Sequence, residues 1–314
     1  MNQILPFDRG LIESIRVNPN GVEARAATLG TRRTFKVEAQ VAAYVGAVGC
    51  MDLTTLDGGD TPGKVRSLCA LGLNPVRRDI LAALGVTDPI TVGAICVYHA
   101  QILTAVRALQ GRLPVAAVST AFPDGEGPLD LRVPEIERSI SAGATEIDMV
   151  IRRESALRDR WVELYEDIKA CREACGDKAK LKVILGTGNL GTYERIAKAS
   201  AVAIMAGADT IKTSTGKDPV NATLPVGLVM VWQIRRFCTE VDPGRRVGFK
   251  PAGGIKSAKD AMLWMSLMRE ELGIEWTRPD LFRIGASSLL GDLQRQLEHL
   301  ATGQYSAAQY HPQG

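Results

Sequence analysis

Eight short apolar runs, each followed by a polar turn and an amphipathic stretch, constrain this chain more than any other feature. The runs span residues 48–54, 92–98, 115–120, 145–151, 180–185, 209–213, 247–250 and 281–284. Between and after them, 62–71, 75–84, 99–109, 131–141, 154–175, 192–205, 224–240, 257–272 and 287–300 read as helices. Such alternation predicts a parallel sheet with helices outside. Eight repeats in roughly 240 residues match a closed (β/α)8 barrel, the TIM-barrel architecture, in count and length. A doubly wound open sheet is the structural alternative. Residues 1–45 read as a polar helical extension, 46–302 as the barrel, and 303–314 as a tail carrying Tyr305, Tyr310 and His311. The tail reads as a frayed end in preference to a lid.

Several function classes lose support early. A formal net charge of +3 without clustered basic residues gives no support for a nucleic-acid surface. No stretch approaches the ~18 uninterrupted apolar residues of a membrane span, and the first 19 residues, with Asp8 and Glu13, do not resemble a signal peptide. The cysteines Cys50 and Cys96 lie in or beside apolar runs, which suits reduced core thiols and, by default, a cytoplasmic protein.

In a barrel of this kind reactive groups collect at the C-terminal ends of the strands. Those ends carry Asp52 with Thr54, Cys96, Ser119, Asp148, Lys182, Lys212, Lys250 and the pair Ser287-Ser288. Strand alternation puts Thr210 and Lys212 on one face, and Gly248 and Lys250 on one face. If both faces point inward, two lysines from adjacent strands meet in the barrel mouth. A free lysine titrates near ~10.4, and lowering it to ~7 takes roughly 4–5 kcal/mol. A like charge ~4 Å away supplies about 4 kcal/mol at an effective dielectric of ~20, and burial adds to it. Such a pair could create a nucleophilic amine. The alternative is that one lysine pairs with a carboxylate such as Asp148 and stays charged.

Glycine-and-hydroxyl turns follow the last three strands: Ser214-Thr215-Gly216-Lys217, Pro251-Ala252-Gly253-Gly254 and Gly285-Ala286-Ser287-Ser288. Glycines let backbone N–H groups approach an anion, and barrels often bind phosphate after strands seven and eight. The same residues also suit ordinary tight turns. Three other patterns compete weakly. Residues 186–191 fit G-x-G-x-x-G, but Asp209 begins its strand, where a ribose-binding acid would end one. Gly216-Lys217 lacks the remainder of a P-loop, having Ile211 and Asp218 at the key positions. Cys171 and Cys175 have no nearby histidine, and His99, His299 and His311 are too scattered for a ligand set, so no metal or cofactor is expected.

Together the stretches Met51-Asp52-Leu53-Thr54-Thr55-Leu56, Glu146-Ile147-Asp148-Met149-Val150, Leu181-Lys182-Val183-Ile184, Ile211-Lys212-Thr213-Ser214-Thr215-Gly216-Lys217, Gly248-Phe249-Lys250-Pro251-Ala252-Gly253-Gly254 and Gly285-Ala286-Ser287-Ser288-Leu289-Leu290 resemble the deoxyribose-phosphate aldolases. These are class I aldolases built on the same barrel. The resemblance implies reversible cleavage of 2-deoxy-D-ribose 5-phosphate to D-glyceraldehyde 3-phosphate and acetaldehyde, without a cofactor. It implies Lys212 as the Schiff-base lysine, Lys250 as the lysine that depresses its pKa, and Asp148 as the acid in proton transfer. Asp52, Thr54, Cys96 and Lys182 would line the substrate pocket. Gly216, Lys217, Gly253, Gly254, Ser287 and Ser288 would hold the phosphate. The expected partner is a small phosphosugar, with a homo-oligomer left open. The chain departs from shorter members at Gly186, where they often carry an acid, and in its long lead-in. A non-catalytic phosphosugar-binding barrel and another Schiff-base aldolase, such as a transaldolase, are the competing readings.

Overall fold

The computed structural model describes residues 1–31 and 35–307. Three helices lead in: α1 (Arg9–Ser14), α2 (Pro19–Thr31) and α3 (Val37–Gly49). Strand β1 (Met51–Thr54) is followed by α4 (Pro62–Leu73) and α5 (Arg78–Ala83), β2 (Ala94–Val97) by α6 (Ile102–Leu109), and β3 (Val115–Ser119) by α7 (Leu129–Ser141). Next come β4 (Glu146–Val150) with α8 (Arg153–Leu157) and α9 (Trp161–Cys175), and β5 (Lys180–Ile184) with α10 (Thr187–Leu190) and α11 (Tyr193–Met205). The last three units are β6 (Thr210–Lys212) with α12 (Leu224–Arg236), β7 (Gly248–Lys250) with α13 (Ala258–Leu272), and β8 (Ile284–Ala286) with α14 (Leu289–Thr302).

Each strand from β1 to β6 pairs in parallel with the next, and β8 returns to pair with β1. Bridges Phe249↔Phe282 and Ala252↔Gly285 bring the last strand against the seventh and complete the ring. The fold is therefore the expected (β/α)8 barrel, and the open sheet is excluded. Strands such as β2, β3 and β4 are buried at every position, because helices cover their outer face and the barrel interior fills the inner one. Local signals start the helices. Thr61 caps α4 by accepting a hydrogen bond from the Lys64 N–H, with Pro62 in its first turn. Ser257 and Asp260 form a capping box on α13.

Four boundaries differ from expectation for identifiable reasons. The apolar run at 45–50 ends a helix before β1 begins, and the Cys50 N–H still donates to Gly46 O. Helix α3 packs between α13 and α14 and is apolar around much of its circumference, so its end imitates a buried strand. β8 starts at Ile284, not at 281, because the N–H groups of Leu281 and Phe282 close a turn onto Arg278 O. The expected helix at 154–175 breaks between α8 and α9, where Asp159 adopts a left-handed φ of 55°. α14 begins at Leu289, which leaves Ser287 and Ser288 in the turn.

The lead-in is built onto the barrel. Ile12, Ile15, Val22, Ala26 and Leu29 belong to the same continuous core as the strands. Each of the buried isoleucine, valine and leucine side chains contributes about 1.5–3 kcal/mol. Asn2 donates to Asp209 Oδ1 and Ala208 O, and Leu5 N–H to Met205 O, which ties the first residues to the N-terminal end of β6. Helix α3 crosses the expected boundary at residue 45. At the other end Tyr305 stacks on His299 with ring centroids 3.9 Å apart, while Tyr310 and His311 lie outside the described residues. All six cysteines are free. Among the described residues no helix is long and apolar enough to cross a membrane.

Candidate active site

Strand register builds the site. The β4–β5 pairing sets Asp148 beside Lys182, and the β6–β7 pairing sets Lys212 beside Lys250. Residues paired across parallel strands point to the same side, so all four side chains enter the barrel. Gly285 gives Lys250 room, since a Cβ there would stand 3.2 Å from Lys250 Cε.

Inside, the charges share acceptors. Asp148 Oδ2 accepts from Lys212 Nζ and from Lys250 Nζ, both at 2.7 Å. Asp52 Oδ2 accepts from Lys182 Nζ at 2.8 Å and also from Lys250 Nζ. Lys182 Nζ further meets Glu146 Oε2 at 2.5 Å and Asp148 Oδ1 at 3.3 Å. Arg283 completes the set, with Nη1 at 2.6 Å from Asp52 Oδ1 and Nη2 at 2.9 Å from Glu146 Oε1. Every member is buried. The cluster therefore holds four cationic side chains, Lys182, Lys212, Lys250 and Arg283, against the three carboxylates Asp52, Glu146 and Asp148.

Burial and the number of carboxylates within reach explain how the three lysines diverge. Burial pulls Lys212 down, Asp148 partly restores it, and Lys250 pulls it down again, leaving the amine below the ordinary lysine range. Burial also opposes the charge on Lys250, but Asp148 and Asp52 outweigh it and hold Lys250 above that range. Lys182, facing three carboxylates, is held well above it in spite of burial. The lysine lowered is thus the one with a single carboxylate partner. Burial, more than the neighbouring lysine, is the larger cause, which reverses the weighting expected from spacing alone. Asp148 and Asp52 are both held below the usual carboxylate range: burial opposes their charge, and the surrounding cations more than offset it.

Above the cluster opens a cavity of about 560 Å³. Of the buried charges among the described residues, only Lys212 reaches its wall. Thr54, Gly216, Lys217, Gly253, Gly254, Ser287 and Ser288 line it, as does Thr215. Asp52, Lys182 and Cys96 were expected on the pocket wall, and the structure corrects this by placing them beneath it. Asp52 and Lys182 are committed to ion pairs. Cys96 packs with Ala116 and Val118, and burial pushes its thiol up, so it stays protonated. Asp148 and Lys250 likewise lie behind Lys212 and reach the cavity through it.

Hydroxyl staples shape the turns. Ser214 Oγ donates to Ala252 O at 2.6 Å, Thr213 Oγ1 accepts from Ala252 N–H at 3.0 Å, and Gly253 N–H donates to Gly285 O. They lock the loops after β6 and β7 to each other and to β8. Gly216 and Gly254 adopt φ of 83° and 81° where a Cβ would touch nothing, so backbone conformation is what selects glycine there. The G-x-G-x-x-G run forms short helix α10 away from the cavity, and Gly188 packs so closely that a Cβ would stand 2.3 Å from Val220 O. No space remains there for a dinucleotide. Gly186 lies under the Arg153 side chain, which bonds Asn189 and Asp218.

Sequence reasoning missed Glu146 and Arg283 in the interior, and Lys64, Ser67 and Lys256 on the cavity wall. Glu146 had a readable signal, standing two residues before Asp148 on the same face of β4. Arg283 had none, because it precedes β8 and its direction depends on how the ring closes. Among the described residues no three metal-ligating side chains converge as a metal site.

A model of the DeoC/LacD family aldolases matches residues 48–294 of the chain. The chain is 50% identical to the deoxyribose-phosphate aldolase of Bos taurus over 309 residues, covering 97% of this chain and 96% of that one. It is 49% identical to the deoxyribose-phosphate aldolase of Homo sapiens over 314 residues, covering 99% and 97%. Its fold matches the crystal structure of a protein provisionally assigned as a deoxyribose-phosphate aldolase from Coccidioides immitis, with a TM-score of 0.63 and 25% identity over 87% of this chain and 97% of that one. The family model covers all eight strands and the loops that build the cavity, and this chain belongs to the DeoC/LacD family of aldolases.

Proposed function

We propose that the chain reversibly cleaves 2-deoxy-D-ribose 5-phosphate to D-glyceraldehyde 3-phosphate and acetaldehyde through a Schiff base on Lys212. The observation that carries this reading is the position of Lys212: a buried amine held below the lysine range and, among the described residues, the only buried charge open to a cavity walled by three glycine-and-hydroxyl turns. A cavity of about 560 Å³ accommodates a five-carbon sugar phosphate. The names of the half-identical relatives support the same substrate.

In this mechanism neutral Lys212 attacks the C1 aldehyde of the open-chain sugar, and loss of water from the carbinolamine gives an iminium. The C3 hydroxyl gives up its proton, the C2–C3 bond breaks, and its electrons pass to the iminium to form an enamine. Protonation at C2 and hydrolysis release acetaldehyde and free the amine. Asp148, whose Oδ2 touches Lys212 Nζ, moves the protons of these steps, and its Oδ1 has the Lys182 ammonium at 3.3 Å. Lys250, held charged, stabilises the Asp148 carboxylate. The turns at Gly216-Lys217, Gly253-Gly254 and Ser287-Ser288 bind the 5-phosphate with backbone N–H groups, hydroxyls and the Lys217 ammonium.

Borohydride reduction in the presence of substrate tests the mechanism. Mass spectrometry is expected to find the reduced adduct on Lys212, and Lys212→Ala is expected to lose at least about 10³-fold in kcat while remaining folded. An adduct on another lysine, or retained cleavage by Lys212→Ala, would overturn it. Condensation of acetaldehyde with D-glyceraldehyde 3-phosphate to the five-carbon product separates this activity from that of another Schiff-base aldolase.

A further inference from the structure

Arg283 lies outside the cavity and has no role in the reaction as derived, yet it is buried in the charged interior. Its guanidinium bridges Asp52 and Glu146, two acids that are 94 positions apart in the chain and meet only through the barrel. It enters where Gly93 leaves space, since a Cβ there would stand 3.2 Å from Arg283 Cδ and Nε. By occupying Asp52 Oδ1, it leaves Oδ2 to Lys182 and Lys250. With Lys212 neutral, three cations face three carboxylates. With Lys212 protonated, the cluster carries one uncompensated positive charge. Uncompensated charge in a buried site is strongly disfavoured, so the cluster is balanced only when Lys212 gives up its proton.

We propose that Arg283 and Glu146 are positioning residues that set this charge balance: Arg283 supplies the third buried cation that drives the proton off Lys212, and Glu146 limits how far it does so. The inference rests on Lys212 being the nucleophile. Titratable and charged groups face Lys212 from several strands. Asp148 of β4 and Lys250 of β7 touch it or its partner, and Cys96 of β2 faces it as a neutral thiol. Asp52 of β1, Glu146 of β4, Lys182 of β5 and Arg283 form the next layer. On the open side Lys64, Lys217, Lys256 and Asp57 line the cavity, where solvent screens them. Among the charged groups it is therefore the interior set that acts on the proton of Lys212, on top of its burial.

Removing the two charges must have opposite effects, which a merely structural role does not produce. Arg283→Gln leaves three carboxylates against two fixed cations, so Lys212 retains its proton to higher pH. Glu146→Gln leaves three cations against two carboxylates, so Lys212 loses it at lower pH. The readout is the acid-side midpoint of kcat/KM for 2-deoxy-D-ribose 5-phosphate cleavage, paired with the pH dependence of adduct formation from acetaldehyde and cyanoborohydride. Arg283→Gln is expected to raise the midpoint by about one unit or more, and Glu146→Gln to lower it by a similar amount. The double variant is expected to return it toward the parent value, and Arg283→Lys to leave it in place. Shifts in the same direction in both single variants, or unmoved midpoints, would overturn the proposal. If Arg283→Gln fails to fold, the Glu146→Gln shift and its cancellation in the double variant decide the question. Absence of any Lys212 adduct in the parent enzyme would instead sink the nucleophile assignment, so the two failures are distinguishable.

Discussion

Two buried ionic sites in this molecule have opposite designs. Between α7 and α9, Arg132 Nη1 donates to both oxygens of Asp167, at 2.6 and 2.8 Å, and Nη2 donates to Val150 O at 2.8 Å. One cation meets one anion, and the backbone takes the spare donor. Inside the barrel four cations share three carboxylates, and single oxygens accept from two lysines each. The first arrangement has nothing to gain by losing a proton and serves to join two helices to the end of β4. The second is one proton over balance, and the surplus falls on Lys212, the lysine with the fewest carboxylate contacts and an opening to the cavity. A paired buried charge holds structure, whereas an over-supplied one is available for chemistry.

Asp148→Asn should strike hardest at this contrast. It removes the carboxylate that touches Lys212 and is proposed to move protons, so kcat is expected to fall about 10²–10⁴-fold, measured by single-turnover cleavage. A loss smaller than tenfold would mean that protons travel by another route. Arg132→Met breaks the balanced pair instead. It is expected to lower stability by about 3–5 kcal/mol in urea unfolding, while the pH midpoint of kcat/KM for the folded fraction stays where it was. A displaced midpoint would show that the two sites are coupled. The smallest effect belongs to the rim of the cavity. Lys217→Ala is expected to raise KM for the phosphorylated sugar about tenfold, with little change for free 2-deoxyribose, because one charge-assisted contact is lost from a solvent-exposed position. An equal change for both sugars would place Lys217 elsewhere than on the phosphate.

Much of the site was legible before the structure. Lys212 and Lys250 end their strands and Asp148 stands in the middle of β4, and a period of two states which face each occupies. The three turns were legible for a similarly local reason, since glycine supplies the positive φ that a tight turn needs and hydroxyls bond the nearby backbone. Ser287 and Ser288 were placed at the start of a helix and instead precede it, because α14 takes Leu289 as its first residue. The expected pocket set erred at Asp52, Lys182 and Cys96 for a common cause. Strand position says that a residue points inward, but not how deep in the stack of side chains it ends. Asp52 and Lys182 sit one layer lower, where their ion pairs hold them.

By itself the sequence determined the number of strands, the alternation that demands a parallel sheet covered by helices, and which residue types stand at the strand ends. These are local properties, carried by periodicity and by turn chemistry. Only the tertiary structure decided which of three interior lysines is the one lowered. That outcome depends on contacts such as Lys250 with Asp52 and Arg283 with Glu146, separated by 198 and 137 positions in the chain. Proton affinity inside a barrel is set by the sum of charges that closure brings together and by the water it excludes, and neither exists until the ring is closed.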